Sequence, residues 1–185
     1  MSCQSSRFGR TRQSAARRCS VCLWSALFCS GAAAAAAPEF THARAADWIN
    51  SAPLTLAQLR GKVVLVEFWT YECINCLRSA AWIQSIARLH ADAGLVVIGV
   101  HTPELQQERS VANVRQAVER LGIHYPVMID GDYSYWNALE NRYWPAFYLI
   151  DRDGRMRERA AGEMHVGDVQ AKRLEASIVQ LLTGS

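Results

Sequence analysis

Apolar and polar positions follow two different periods along the body of this chain, and its elements begin and end where the period changes. Val63 to Phe68 (VVLVEF) and Leu95 to Val100 (LVVIGV) are short β-branched apolar runs, the pattern of strands covered on both faces. Ala146 to Ile150 (AFYLI) is a further run of this kind, and Val127 to Ile129 a shorter one. Between the first two strands a helical period follows Trp69–Cys76 and continues to about Ala91. It predicts Leu77, Ala80, Ile83, Ala87 and Leu89 inward and Gly94 just past the end. Residues 105–121 predict a second amphipathic helix, with Val111, Val114, Val118 and Leu121 on one face and Gly122 as its stop. Ser134 to Glu140 predicts a short helix, and Asp168 to Leu182 a closing one. Thr55 is placed to cap a turn from Leu56 to Arg60, stopped by Gly61. Asp151-Arg152-Asp153-Gly154 predicts a hairpin turn into Arg155 to Ala161. Residues 38–50 read as an irregular lead-in whose Trp48 and Ile49 are available for packing. Strands alternating with helices and closing in a hairpin predict an α/β domain, a three-layer α/β/α sandwich around a mixed sheet.

Composition sharpens the division of the chain. The 185 residues are 50% hydrophobic and 20% charged, which excludes collagen-like and disordered classes and suits one domain that needs no disulfide framework. The net charge of +3 averages two unlike parts. Residues 1–37 carry five arginines (Arg7, Arg10, Arg12, Arg17, Arg18) and no acid. Residues 38–185 hold 15 Lys+Arg against 17 Asp+Glu, so the body carries −2 and offers no electrostatic case for nucleic acid. A basic start, an apolar stretch from Cys19 to Ala37 and an alanine-rich end make a secretory signal peptide, with several A-x-A frames between Ala33 and Ala37. The expected organisation is therefore a signal peptide over 1–37 and one domain over 38–185, in the periplasm or otherwise exported. The competing reading is an uncleaved membrane anchor, since the apolar run approaches the ~20 residues that span a bilayer. Either reading puts the domain in an oxidising compartment.

Of six cysteines, four (Cys3, Cys19, Cys22, Cys29) lie in the leader, leaving Cys73 and Cys76 in the body. Cys73-Ile74-Asn75-Cys76 falls where a buried strand meets a helix. A CxxC on a first helical turn puts its first sulfur among free N–H groups at the positive end of the helix dipole, which stabilises a thiolate. The second sulfur lies one turn on, within reach of a disulfide. Cys73 would attack or be attacked, and Cys76 would resolve the mixed disulfide. Zinc would need two further ligands, and the five histidines are not spaced as ligands, so no metal or organic cofactor is expected.

The segment VVLVEFWTYECINC (63–76) resembles the thioredoxin superfamily. With VVIGVHTPE, ANVRQAV and NRYWPAFYLID, the likeness extends to the thioredoxin-like domain of the DipZ family of cytochrome c biogenesis proteins (redoxin or TlpA-like) over about residues 39–183. The resemblance implies a thioredoxin fold and thiol–disulfide exchange with protein disulfide or dithiol substrates, such as apocytochrome c or a redox shuttle. The family's multi-spanning membrane module has no counterpart in the sequence, so a separate membrane electron donor of the CcdA type is expected. Pro145 precedes a strand, where proline marks an edge or bend. The resemblance makes the Trp144–Pro145 bond cis and places it beside the CxxC, with Trp144 pairing to substrate backbone. Glu67, the one ionisable residue in VVLVEF, would be raised in pKa by burial. It aligns with the acid behind the second thioredoxin cysteine, which implies a proton relay to Cys76; the alternative is a partly solvated carboxylate paired with an arginine. Trp69 is expected to pack under the reactive loop, and Tyr71 and Trp144 to line the docking surface. Glu72 opposes thiolate formation at Cys73, and no cation within the motif offsets it, which points towards a reductant. His101, at the carboxyl end of a strand, is read as a loop histidine, and Asp130-Gly131-Asp132 as a turn. Thr70-Tyr71-Glu72-Cys73 also matches T-x-x-C of peroxiredoxins, so a thiol peroxidase is one alternative and a non-catalytic binding or chaperone module another.

Overall fold

The computed structural model describes residues 34–184. The expected signal peptide therefore lies almost wholly outside the described residues. Its last residues, Ala35 to Ala37, are extended and bonded to the hairpin that follows the third long strand, with Ala37 N–H donating to Gly154 O and Met156 N–H to Ala35 O. No described helix is long and apolar enough to cross a membrane.

Six strands form one mixed sheet in the order β1-β4-β3-β2-β5-β6. They are β1 (Trp48–Ile49), β2 (Val63–Trp69), β3 (Leu95–His101), β4 (Val127–Ile129), β5 (Ala146–Ile150) and β6 (Met156–Ala161). β2, β3 and β4 run parallel, while β5 is antiparallel to β2 and the edge strands β1 and β6 are antiparallel to their neighbours. The α/β sandwich expected from the pattern is the fold observed. Strand β1 is the addition: two residues are too few to show a period, and only pairing with β4 makes Trp48 and Ile49 a strand.

Every residue of β2 is buried, and the alternation of side chains sorts them between two cores. Val63, Leu65 and Trp69 join the apolar layer under helices α1 (Ile74–Leu89), α2 (Val111–Arg120) and α4 (Val169–Thr183). Val64, Val66 and Phe68 face the other layer, built from Phe40, Trp48, Leu56 and the helix α3 (Ser134–Ala138). Position 67 has the parity of the first set, so its carboxylate is aimed at the α1 side.

Two helices depart from the expected pattern. In α1 the buried stripe is Cys76, Ser79, Trp82, Ile83 and Ile86, and Leu89 is 70% exposed. Trp82 sets this rotation, packing edge-on to Phe147 at 5.2 Å while its indole N–H donates to Glu175 in α4 at 2.7 Å. The helix expected over 105–121 is split into a 3-10 turn (Gln106–Arg109) and α2. The split has a local cause. The carboxylate of Glu108 folds back onto the amides of Glu104 and Leu105, and Ser110 caps α2 through Asn113, so side chains take donors that a continuous helix would use.

Candidate functional site

Strand β2 ends at Trp69, and the next four residues swing the chain over the sheet edge before α1 begins. Cys73 is the N-cap of α1, its Sγ accepting the Cys76 N–H at 3.2 Å. Cys73 and Cys76 are joined by a disulfide. The two sulfurs have unlike surroundings. Cys73 is half-buried and opens on a groove of about 490 Å3 lined by Glu72, Ile74, Asn75, Glu104, Arg142, Tyr143 and Trp144. Cys76 is 3% exposed and faces inward.

The Trp144–Pro145 peptide is cis, as the resemblance implies, and lies at the start of β5. The Pro145 carbonyl accepts from Gly162 at 2.9 Å, and the Trp144 indole N–H donates to Thr102 O at 3.0 Å. Trp144 packs on Trp136, tilted by 33° at 4.1 Å between centroids, and forms one wall of the groove. Tyr143, 61% exposed, extends that wall.

Trp69 packs under the reactive loop as expected, and Tyr71, expected to line the docking surface, lies there too. Both are buried. The Tyr71 ring stacks on His101 and its hydroxyl donates to Gln107 O at 2.8 Å, while Trp69 meets His101 edge-on. They support the reactive loop from below, while Trp144 lines the groove at Cys73. The reason is tertiary: β2 and β3 run in register, so Trp69 sits opposite His101.

Behind Cys76 lies Glu67, 2% exposed. Burial pushes its pKa up to about 7, opposed by one hydrogen bond from Tyr125, whose hydroxyl donates to Oε2 at 2.9 Å. Among the described residues no arginine reaches it; burial raises its pKa and Tyr125 opposes the rise. Glu67 and Cys76 share the lining of a cavity of about 10 Å3 with Trp69, Leu77, Ala80, Leu121, Ile123 and Tyr125.

A second buried glutamate, Glu108, stands behind the other side of the motif. Its Oε1 accepts the Glu72 N–H at 3.1 Å, and its Oε2 accepts the Glu104 and Leu105 N–H groups, both at 2.7 Å. Burial raises its pKa, but the bonds from Thr70 and these amides outweigh burial and leave it below the ordinary carboxylate value. The Thr70 hydroxyl lies 3.1 Å from His101 Nε2, a buried hydrogen bond that carries the network on to the end of β3. His101 closes β3 fully buried, and burial pulls its pKa down to about 4, so it is neutral. It is a core histidine and a support of the reactive loop. Thr70 is likewise buried and committed to this network, so its hydroxyl is not presented to the groove as the T-x-x-C arrangement would need. Asp130 forms the expected turn and caps α3, accepting from Tyr135 and Trp136.

Glu108, Tyr125 and the buried role of His101 carry no sequence signal of their own. Glu108 is one of three acids between 104 and 119, and its partners are fixed by loops 36 residues apart.

The redoxin family model matches residues 32–178. Over 119 residues the chain is 46% identical to protein DipZ of Mycobacterium bovis, covering 63% of this chain and 17% of that protein's length. It is 30% identical over 126 residues to the thiol-disulfide oxidoreductase YkuV of Bacillus subtilis, covering 68% of this chain and 82% of YkuV. The crystal structure of thioredoxin-like superfamily protein SPOA0173 superposes with a TM-score of 0.70 at 28% identity, covering 80% of this chain and 97% of that one. With this mixed sheet, a cis-proline and a CxxC at the head of α1, the chain belongs to the redoxin family of thioredoxin-fold proteins.

Proposed function

We propose that the chain is an exported thiol–disulfide oxidoreductase that reduces protein disulfides, with Cys73 as the attacking thiol and Cys76 as the resolving one. The observation that carries this reading is the asymmetry of the Cys73–Cys76 disulfide, one sulfur open to the groove and the other closed behind it against a buried acid. In the reduced protein the helix N-terminus favours thiolate at Cys73. That thiolate attacks a substrate disulfide, releases one substrate thiolate and forms a mixed disulfide. Cys76 passes its proton to Glu67 and attacks Cys73 Sγ, which releases the second substrate thiolate and closes the Cys73–Cys76 disulfide. Trp144, beside cis-Pro145, presents backbone for an extended substrate segment.

Export rests on the arginine-rich, then apolar and alanine-rich start of the chain. The setting is cytochrome c maturation, which the likeness of the motifs to the DipZ family supports, with reducing equivalents supplied by a membrane donor of the CcdA type. Glu72, Glu104 and Arg142 all line the groove, two acids to one base, a balance that does not favour thiolate at Cys73 and agrees with a reductant.

Equilibration against glutathione with thiol trapping tests the direction. A potential near thioredoxin's, about −270 mV, is expected; a value near DsbA's, about −120 mV, would make the protein a disulfide donor. Cys76→Ser should accumulate the mixed disulfide, and exchange that survived Cys73→Ser would remove the reading altogether.

A further inference from the structure

Tyr125 was not singled out by any sequence motif, yet among the described residues its hydroxyl is the one group that hydrogen-bonds the Glu67 carboxylate. Its placement depends on three features. Asn50 Nδ2 donates to the carbonyls of Ile123 and Tyr125, at 2.8 and 3.1 Å, which pins the segment entering β4. Gly99 lies opposite Glu67 in the β2–β3 register. A Cβ on Gly99 would stand 3.0 Å from both Tyr125 Cε2 and Trp69 Nε1, so the glycine opens the slot through which both rings reach the cavity.

We propose that Tyr125 is a positioning residue for the exchange reaction, holding Glu67 towards Cys76 and setting the pH at which Glu67 takes the Cys76 proton. A phenol can do this because it donates one hydrogen bond without adding charge. The bond favours the carboxylate and so opposes the desolvation that burial imposes. Tyr125 stays a donor throughout the physiological range, since burial and the neighbouring Glu67 raise its own pKa well above 10. The groups around Glu67 leave little else to act. Cys76 faces it from α1 and Tyr125 from the segment before β4. Trp69 on β2, Gly99 on β3 and Phe147 on β5 bring no charge. The Trp69 indole N–H lines the same cavity, buried and without a hydrogen-bond partner.

The proposal rests on Glu67 exchanging a proton with Cys76, and the test separates the two ideas. Glutamate carboxyl carbons are labelled and Glu67 is titrated by NMR in the oxidised wild type and in Tyr125→Phe, whose ring keeps the slot filled. Tyr125→Phe should raise the Glu67 midpoint by about one pH unit, the effect of losing one hydrogen bond to a charged group. An unmoved midpoint overturns the proposal.

The second measurement loads Cys73 with thionitrobenzoate and follows its release by Cys76. The rising limb of the pH–rate profile should move up with the Glu67 midpoint, and Tyr125→Phe should not move it further in a Glu67→Gln background. A slowing equal at all pH values would show a merely structural role and overturn the proposal. A shifted Glu67 midpoint with an unshifted release profile would support Tyr125's hold on Glu67 and overturn the relay itself.

Discussion

Two buried glutamates flank the reactive turn, and the same side chain is shifted in opposite directions in the two places. Glu67, behind Cys76, receives one hydrogen bond from a neutral phenol, and burial wins, lifting its pKa to about 7. Glu108, behind Glu72, receives three amide N–H groups and the Thr70 hydroxyl, and the donors win. Burial alone therefore does not decide what a carboxylate does; the number of donors aimed at it does. The under-supplied acid is free to exchange a proton with a thiol. The fully supplied one is a fixed anion that ties the residue before Cys73 to the loop after β3.

The strongest way to break the contrast is Glu108→Leu. It strips three amides of their acceptor in a buried site and should cost about 3–6 kcal/mol, read as a lowered urea midpoint. Glu67→Gln loses one donor interaction and should leave stability at neutral pH unchanged or improved. A comparable loss in both variants would mean that the two sites are equivalent.

The pH dependence sharpens the same comparison. Glu67 binds its proton more tightly folded than unfolded, so its contribution falls as pH rises from 4.5 to 7, by about 3 kcal/mol. His101 is the reverse case. Its folded pKa of about 4 lies below its ordinary 6.5, so its contribution is present above pH 6.5 and is lost, again by about 3 kcal/mol, as pH falls towards 4. The two slopes oppose each other between pH 4.5 and 6.5. Glu67→Gln should therefore make stability rise with pH across that window, and His101→Gln should make it fall. Parallel curves for both variants would contradict the buried, oppositely shifted pair.

Gly99→Ala probes the slot beside Glu67 and should cost about 2 kcal/mol, because the new methyl meets two ring atoms at 3.0 Å. Its thionitrobenzoate release should slow as well, since Tyr125 and Trp69 must shift. Asp168→Ala is the remote comparison. It removes the α4 cap, which accepts the Ala171 N–H at 2.7 Å, and should lower the urea midpoint slightly with the Glu67 midpoint unmoved.

Legibility followed the range of the interactions. The runs that became β2, β3 and β5 announce themselves because a strand covered on both faces must be apolar throughout. Glu67 stood out as the exception within such a run. Where a side chain redirected the backbone, local pattern failed: the apolar period of 105–121 continues across Ser110 although the helix does not. Tyr71 and Trp69 sit beside the cysteines in sequence, yet the parallel register of β2 and β3 sets Trp69 opposite His101, and Tyr71, just past the strand, stacks on the same imidazole.

What the amino-acid order determined by itself was therefore the layered α/β plan, the CxxC at a strand–helix junction and one acid inside a buried strand, because periodicity and short-range spacing are properties of neighbouring residues. The tertiary structure alone decided which acid is supplied with donors and which is starved. Glu108 meets Glu72 across 36 residues and Tyr125 meets Glu67 across 58, and such meetings exist only once the sheet has brought its loops to one edge.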